Sequence, residues 1–529
     1  MLTSHPIQYQ APLWREMAKA LQCDRGHFDN LKDDGHGGGV PFEVWFLTDQ
    51  GVRLTADKDF GKDFAWDVDL LSGYPHRFLE LRGPWDLHSF NGIPLAKPIG
   101  ESLREANATA LWIEGWRFKP FWDAVSAAKK MGIPVFLRGE TSDKITEKGG
   151  LFGLVRNFAL HRLFAKVDHF LTIGQASRRF YLRHGVRESK LVDAPYCVDN
   201  EFFRAEAGKM RGLRDYGTAG LREEGKGQEP RGEGGAQSAH FDREEQLRAA
   251  DQETQRLRDE KEEKGNGREA IGTGEGNLKL ETAAEIRREW NIRPDAKVVM
   301  FCGKFVGKKR PGDLVKAVQF HQRQEALGEG QGETSSLEPR ASSPLREAQR
   351  SWHLLFVGSG ELGDELRGAC DVVYDAEAAG KVREARNEGE KDPKQGETSS
   401  LEPLASSHAR PPASFVGFLN QSQISRAYAV ADVVVLPSEA WETWGLVINE
   451  ATAAGVPTVV SDRCGCSDDF GAKNPYTRVF PMGDSAAMAR AIEEVLALKA
   501  EPDEVTKLAE AFAPRITAEA VVQCLHGRR

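Results

Sequence analysis

Apolar residues fall in short runs separated by longer stretches of helical periodicity, first up to about residue 203 and again from residue 282 onward. The runs Phe42–Leu47, Ala110–Ile113, Pro134–Leu137, His169–Ile173 and Lys190–Asp193 predict strands, with crossover helices such as Phe121–Met131 and Ala176–His184 between them. Strands alternating with helices of crossover length are the pattern of a parallel sheet covered on both faces. The second part repeats it at Lys297–Cys302, His353–Val357, Ser414–Val416, Asp432–Pro437 and Thr458–Ser461. The expected fold class is α/β, with two doubly wound, Rossmann-like parallel-sheet domains. The cleft between two such domains is the default place for a ligand.

Composition breaks this pattern and so sets the domain plan. Residues 1–203 form the first domain, 204–281 a charged insertion expected to be disordered, and 282–507 the second domain. Residues 508–529 form a C-terminal helix with no strand after it, free to cross back onto the first domain. The insertion is rich in Gly, Glu, Arg and Lys and cannot bury enough apolar surface to offset its ordering entropy. Low-complexity loops at about 326–349 and 377–412 share the string QGETSSLEP-x-ASS, at Gln331–Ser343 and Gln395–Ser407, and read as tolerated loop insertions.

Charge and cysteines narrow the partners. The net charge is −9 with both signs interspersed, so no basic stripe points to nucleic acid. Seven cysteines are scattered, with only Cys464 and Cys466 close together, which predicts a reduced compartment and no metal site. No run approaches the ~20 apolar residues of a membrane span, and Met1 leads into Ser4-His5-Pro6 without a signal region, so a soluble cytoplasmic protein is expected. Gly149–Val167 mixes apolar residues with Arg156, His161, Arg162 and Lys166. A helix packed on the sheet is the expectation there, and peripheral contact with an anionic inner membrane surface is the alternative.

The densest chemical signal is Ser438–Ser461. A strand ends at Pro437, a polar and aromatic loop follows, and a helix opens near Trp444-Gly445 and stops at Gly455. The N-terminus of a helix at the carboxyl end of a parallel strand suits a diphosphate. Glu442 and Glu450, about 10 Å apart along the helix, suit the hydroxyls at the two ends of a nucleotide sugar. A second element, Phe301 to Ala317, follows a strand with a Gly-containing loop carrying Lys304, Lys308, Lys309 and Arg310, cations fitted to a leaving diphosphate.

The string from Glu442 through Trp444-Gly445-Leu446 to Glu450-Ala451, followed by Gly455-Val456-Pro457, is similar to the Glu-x7-Glu motif of the retaining family 4 glycosyltransferases, glycosyl transferases group 1, whose fold is GT-B: two facing Rossmann-like domains. The resemblance implies that Glu450 binds the ribose, that Glu442 contacts the donor sugar, and that the amides after Trp444, at Gly445 and Leu446, face the donor. The loop after Phe301 resembles the family's Gly-Arg-Leu…Lys loop, with Gly303 in place, Lys304 standing for the arginine and Lys309 for the lysine. Lysine at 304 forgoes the bidentate fork of an arginine. Leu354–Gly360, with Gly358, resembles the segment framing the base pocket. On the first domain, His5 to Pro12 resembles an acceptor-side loop, making His5 and Gln8 candidates. Only Met1–Thr3 stand where a strand normally precedes it, so a truncated start is expected. Trp66-Asp67 and Pro195 to Asn200 also resemble one subgroup. Glu114, Arg138 and Glu140 sit at predicted strand ends, which face the cleft in such folds, and Glu114 or Arg138 falls where many relatives carry histidine.

The implied reaction is metal-independent, retaining transfer of a glycosyl, typically hexosyl, group from a nucleoside diphosphate sugar to an acceptor hydroxyl, with no cofactor beyond the donor. A glycan, lipid-linked or small-molecule acceptor is expected, with a role in glycan or polysaccharide biosynthesis. Another GT-B activity, epimerase or hydrolase, and a silent nucleotide-sugar-binding scaffold stay open. A nicotinamide dehydrogenase is disfavoured, because no G-x-G-x-x-G follows a strand.

Overall fold

The computed structural model describes residues 1–23, 42–52, 55–57, 62–145, 150–212, 281–330, 352–380 and 410–527. Most of the charged insertion and both copies of the duplicated string lie outside these residues.

The first domain is a parallel sheet in the order β5-β2-β1-β6-β7-β8-β9. Its strands are β1 (Leu2–Thr3), β2 (Val44–Phe46), β5 (His76–Phe78), β6 (Leu111–Glu114), β7 (Val135–Arg138), β8 (His169–Thr172) and β9 (Leu191–Asp193), while β3 (Thr55–Asp57) and β4 (Lys62–Phe64) pair separately as an antiparallel ribbon. The second sheet runs β12-β13-β11-β10-β14-β15-β16. Here β10 is Lys297–Cys302, β11 Trp352–Val357, β12 Asp371–Asp375, β13 Pro412–Gly417, β14 Val433–Leu436, β15 Thr458–Ser461 and β16 Thr477–Phe480. Central strands such as β14 and β15 are buried along their whole length, which is why they read as continuous apolar runs rather than alternating ones. The α/β, GT-B-like reading therefore holds, and the sequence strands lie within a residue or two of the observed ones.

Three edge strands escaped the sequence pattern. β5, β12 and β16 are partly exposed along their length. Polar residues tolerated at an edge break up the apolar run that marks a central strand. Conversely, the short β1 takes a central place, pairing Leu2 with Trp45 on one side and Ile113 on the other.

The boundary placed at residue 203 falls inside a helix. Asp199 caps the helix Asn200–Arg211, its carboxylate accepting from the Phe202 N–H (3.0 Å), and Phe203 and Ala207 are buried beneath it. Arg211 closes it by donating to the carbonyls of Tyr428 (2.6 Å) and Ala454 (2.5 Å) in the second domain. The insertion thus leaves the described structure after Gly212, beyond the 204 boundary. The C-terminal stretch is two α-helices, Pro502–Ala509 and Pro514–Leu525, joined by a 3-10 turn at Glu510–Phe512, and Pro514 opens the second. The second of them packs Ala518, Val521 and Val522 among Leu13, Trp14 and Met17 of the helix Ala11–Cys23. No described helix is long and apolar enough to cross a membrane.

The order of strand numbers reverses between β1 and β6 in the first sheet and between β10 and β14 in the second. Loops leaving the carboxyl ends of strands diverge at such a reversal and open a crevice.

Candidate functional site

The crevice of the second sheet is built by the loops after β10 and β14. Gly303 leaves β10 at φ +151°, a backbone region natural only to glycine. Behind it, a β-carbon on Gly358 would stand 2.0 Å from the Gly303 carbonyl oxygen. Gly358 therefore lets the turn after β11 stack directly under the Gly303 loop, with Phe305 N–H on the Ser359 carbonyl (2.8 Å). The two site loops are tied together where the Glu439 N–H donates to the Lys308 carbonyl (2.9 Å).

The helix Leu446–Ala453 begins at Gly445, which has φ +108° and no side chain to cap the first amides. No acidic residue lies in its first turn, so its positive dipole end is left unopposed from within the helix. Beside it Glu442 forms an ion pair with Lys309. Burial acts to lower the Lys309 ammonium, but the charge and hydrogen bond of Glu442 outweigh it, and the ammonium is held above its ordinary range. Glu450 accepts from the Tyr428 hydroxyl (2.6 Å). Burial pushes its carboxyl above the usual range, with the Tyr428 hydrogen bond opposing. Cys464 and Cys466 are buried under the Glu442 loop, where the Cys466 N–H donates to the Trp444 carbonyl (3.0 Å).

The first domain supplies the facing wall. The Tyr196 hydroxyl donates to Glu140, the Arg138 guanidinium lies 4.7 Å over the Tyr196 ring, and Glu114 pairs with Arg138 across adjacent strands. Burial raises the Glu114 carboxyl to about 8; Arg138 opposes the rise and Glu140 adds to it. Buried Gln8 Oε1, Glu114 Oε1 and Arg138 Nε have no hydrogen-bond partner among the described residues. Asn449 joins the two walls, its amide accepting from Trp444 Nε1 (2.7 Å) and donating to the Tyr196 carbonyl (2.9 Å).

Between the walls lies a cavity of about 310 Å³, lined from the first domain by Gln8, Tyr9, Trp66, Glu140 and Tyr196 and from the second by residues that include Gly303, Lys309, Glu442, Gly445 and Glu450. That volume is at the small end of ligand sites.

Residues 389–512 match the family of glycosyl transferases group 1. The chain carries a group 1 glycosyltransferase domain. An uncharacterized glycosyltransferase of Methanocaldococcus jannaschii is 25% identical over 185 residues, covering 35% of this chain and 32% of that protein. The sulfoquinovosyl transferase SQD2 of Arabidopsis thaliana is 47% identical over 57 residues, 11% of each chain. The chain thus matches less than a third of each relative's length. Among solved structures, the Anabaena protein HepE in complex with UDP shares the fold, with a TM-score of 0.50, 12% identity and 99% of each chain covered.

The second domain brings Glu442, Lys309, Glu450, Trp444, Gly445, Leu446 and Gly303 onto one cavity wall, and the first domain adds Gln8 and Glu140. Lys304 and Gly358 stand off that wall, Gly358 as the packing glycine beneath it. His5, Glu114 and Arg138 lie behind the facing wall. His5 is pushed down to about 4 by burial and has Ser4 Oγ 2.9 Å from its Nδ1. Sequence reasoning did not single out Tyr9, Tyr428 or Asn449. Tyr9 and Tyr428 meet partners remote in the chain, as does Asn449 at the Tyr196 carbonyl, and no local spacing signals those contacts.

Asp468 and Asp469, in the first turn of the helix Ser467–Lys473, also join the domains. Lys144 donates to Asp468 (2.9 Å) and to the carbonyls of Asp462 and Cys464, and the Gln175 N–H donates to Asp469 (2.9 Å).

Proposed function

We propose that the protein transfers a glycosyl group from a nucleoside diphosphate sugar to an acceptor hydroxyl, with retention at the anomeric carbon. The observation that carries this reading is a single cavity lined together by the Lys309 ammonium, an uncapped helix N-terminus and two carboxylates, Glu442 and Glu450. A diphosphate lying between Lys309 and the amides of Leu446 and Val447 meets fixed positive charge where negative charge grows as the bond from the anomeric carbon to the phosphate oxygen breaks. The acceptor oxygen bonds that carbon, and its proton departs with the diphosphate. Glu450, oriented by Tyr428, accepts from the ribose hydroxyls. Glu442 leaves its ion pair with Lys309 to accept from the donor sugar. Gln8 and Glu140 face the incoming acceptor, a glycan, lipid-linked or small-molecule hydroxyl. This reading uses no metal, since Lys309 and the helix end supply the positive charge.

The test is a thermal-shift screen against UDP, GDP, ADP and their common sugars. The UDP set comes first, because the similar Anabaena protein was solved with UDP. A ligand at ~100 times its dissociation constant stabilises the folded state by about 2.7 kcal/mol. One nucleotide should raise the melting temperature, and Glu450→Ala should abolish the rise. No rise with any nucleotide would sink the proposal. Release of nucleotide that needs no acceptor would replace transfer by hydrolysis, and binding without turnover would leave a scaffold.

A further inference from the structure

The helix Gly150–Phe164 is divided along its length. Its second half buries Leu160, Leu163 and Phe164 in the first-domain core. Its first half leaves Leu151 (78%), Leu154 (69%), Val155 (61%) and Phe158 (63%) exposed. At spacings of three and four residues these side chains form one stripe down the helix. The other exposed large apolar residues of the described chain stand singly in sequence, which is normal for a soluble surface.

Position and charge say what the stripe meets. The helix follows β7 and leads back to β8, parallel to β7, so its first half lies at the carboxyl edge of the sheet, the edge that carries Glu140. The Arg162 guanidinium sits 5.6 Å over the Phe158 ring at the end of the stripe, and His161 and Lys166 are exposed beyond it. From Gly150 to Val167 there is no Asp or Glu, in a chain whose net charge is −9. An apolar stripe ending in cations, on an otherwise acidic protein, is complementary to a surface that is apolar below and anionic above. A stable protein dimer buries about 800 Å² on each side, well beyond what this stripe alone offers.

We propose that this face docks on an anionic lipid surface, with Leu151, Leu154, Val155 and Phe158 entering the boundary between headgroups and acyl chains and Arg162 and Lys166 meeting the phosphates. The inference does not depend on the catalytic reading, since it is tested by binding alone. The full chain is sedimented with vesicles of phosphatidylcholine containing about a third phosphatidylglycerol, and with phosphatidylcholine alone. It should pellet with the anionic vesicles and much less with the neutral ones. Leu154→Asp together with Phe158→Asp should cut the bound fraction by about tenfold, and Arg162→Glu by a few-fold in a salt-dependent way. Both variants alter exposed side chains, and unchanged melting curves confirm that they fold. Binding that is absent in the native chain, or undiminished in the double variant, overturns the proposal. So does a dimer in light scattering that the double variant converts to monomer, which would assign the stripe to a contact between copies.

Discussion

The two walls of the cavity are finished differently. On the second domain each charged group has a partner: Lys309 holds Glu442, and Tyr428 holds Glu450. On the first, Gln8 keeps a buried oxygen without a partner among the described residues, as do Glu114 and Arg138 behind it. Ser359 and Ser438 beside the second wall also keep unpartnered hydroxyls, but only at the first do charged groups do so, and most buried polar atoms in native structures are satisfied. A wall whose groups hold one another is preorganised for a ligand of fixed chemistry, such as a diphosphate and a ribose. A wall with unmet hydrogen-bonding capacity suits a ligand that brings its own hydroxyls.

The greatest loss is expected at Lys309. If its ammonium stabilises departing charge, Lys309→Ala should lower turnover by ~10²–10³-fold while nucleotide affinity changes far less. An unaffected rate would remove Lys309 from the chemistry. The glycines sharpen the comparison next. Gly358→Ala drives a β-carbon to 2.0 Å from the Gly303 carbonyl at φ +131°, whereas Gly115, at φ +88° beside Glu114, has no described neighbour within 4 Å. Urea unfolding should show a loss of more than about 3 kcal/mol for Gly358→Ala and ~1–2 kcal/mol for Gly115→Ala. Equal losses would mean that the close stacking of the donor loops is not what needs glycine. Glu450→Ala should weaken nucleotide binding by ~1–3 kcal/mol in calorimetry if the carboxylate meets a buried ribose. Unchanged affinity would free Glu450 of that role.

The second-domain wall was the more legible of the two in the sequence, for a physical reason. A strand, loop and helix in succession put Glu442, Gly445 and Glu450 within a few residues of one another, and local spacing carries that information. The central strands were legible for the same reason, as each is a single apolar run. The first-domain wall is assembled from Gln8, Trp66, Glu140 and Tyr196, contributed by four separate loops. Only the sheet order brings these together, and periodicity does not report sheet order. Lys144 and Asp468 illustrate the limit: each reads as an ordinary loop polar, and their pairing across 324 positions becomes visible only in the fold. The edge strands were lost because their exposed polar positions erase the run that betrays a central strand.

The smallest effect tests whether the orphaned wall is also electrostatically unsettled. Burial raises Glu114 to about 8 against the opposing charge of Arg138, so the folded chain holds a proton there that the unfolded chain gives up near its ordinary carboxylate range, ~4.3. Between those values the folded state binds more protons, and stability must fall as pH rises until it levels off above about 8. Asp469, raised to about 6 by burial with the Gln175 N–H opposing, gives a slope of the same sign only below that pH. The Met1 ammonium, lowered to about 5 by burial, gives the opposite slope up to about 8, so Glu114 is isolated only by the difference between the native chain and a Glu114 variant. Glu114→Gln removes the term, so the melting temperature of the variant should gain on that of the native chain across the range from about 6.5 to 8 and hold its lead above it. Each pKa unit of separation carries ~1.4 kcal/mol, or ~2–4 °C in a large domain. A difference between the two curves that stays constant from pH 6.5 to 9 would show that Glu114 is already ionised in the folded protein. Arg138 would then outweigh burial, and the first wall would be as well matched as the second.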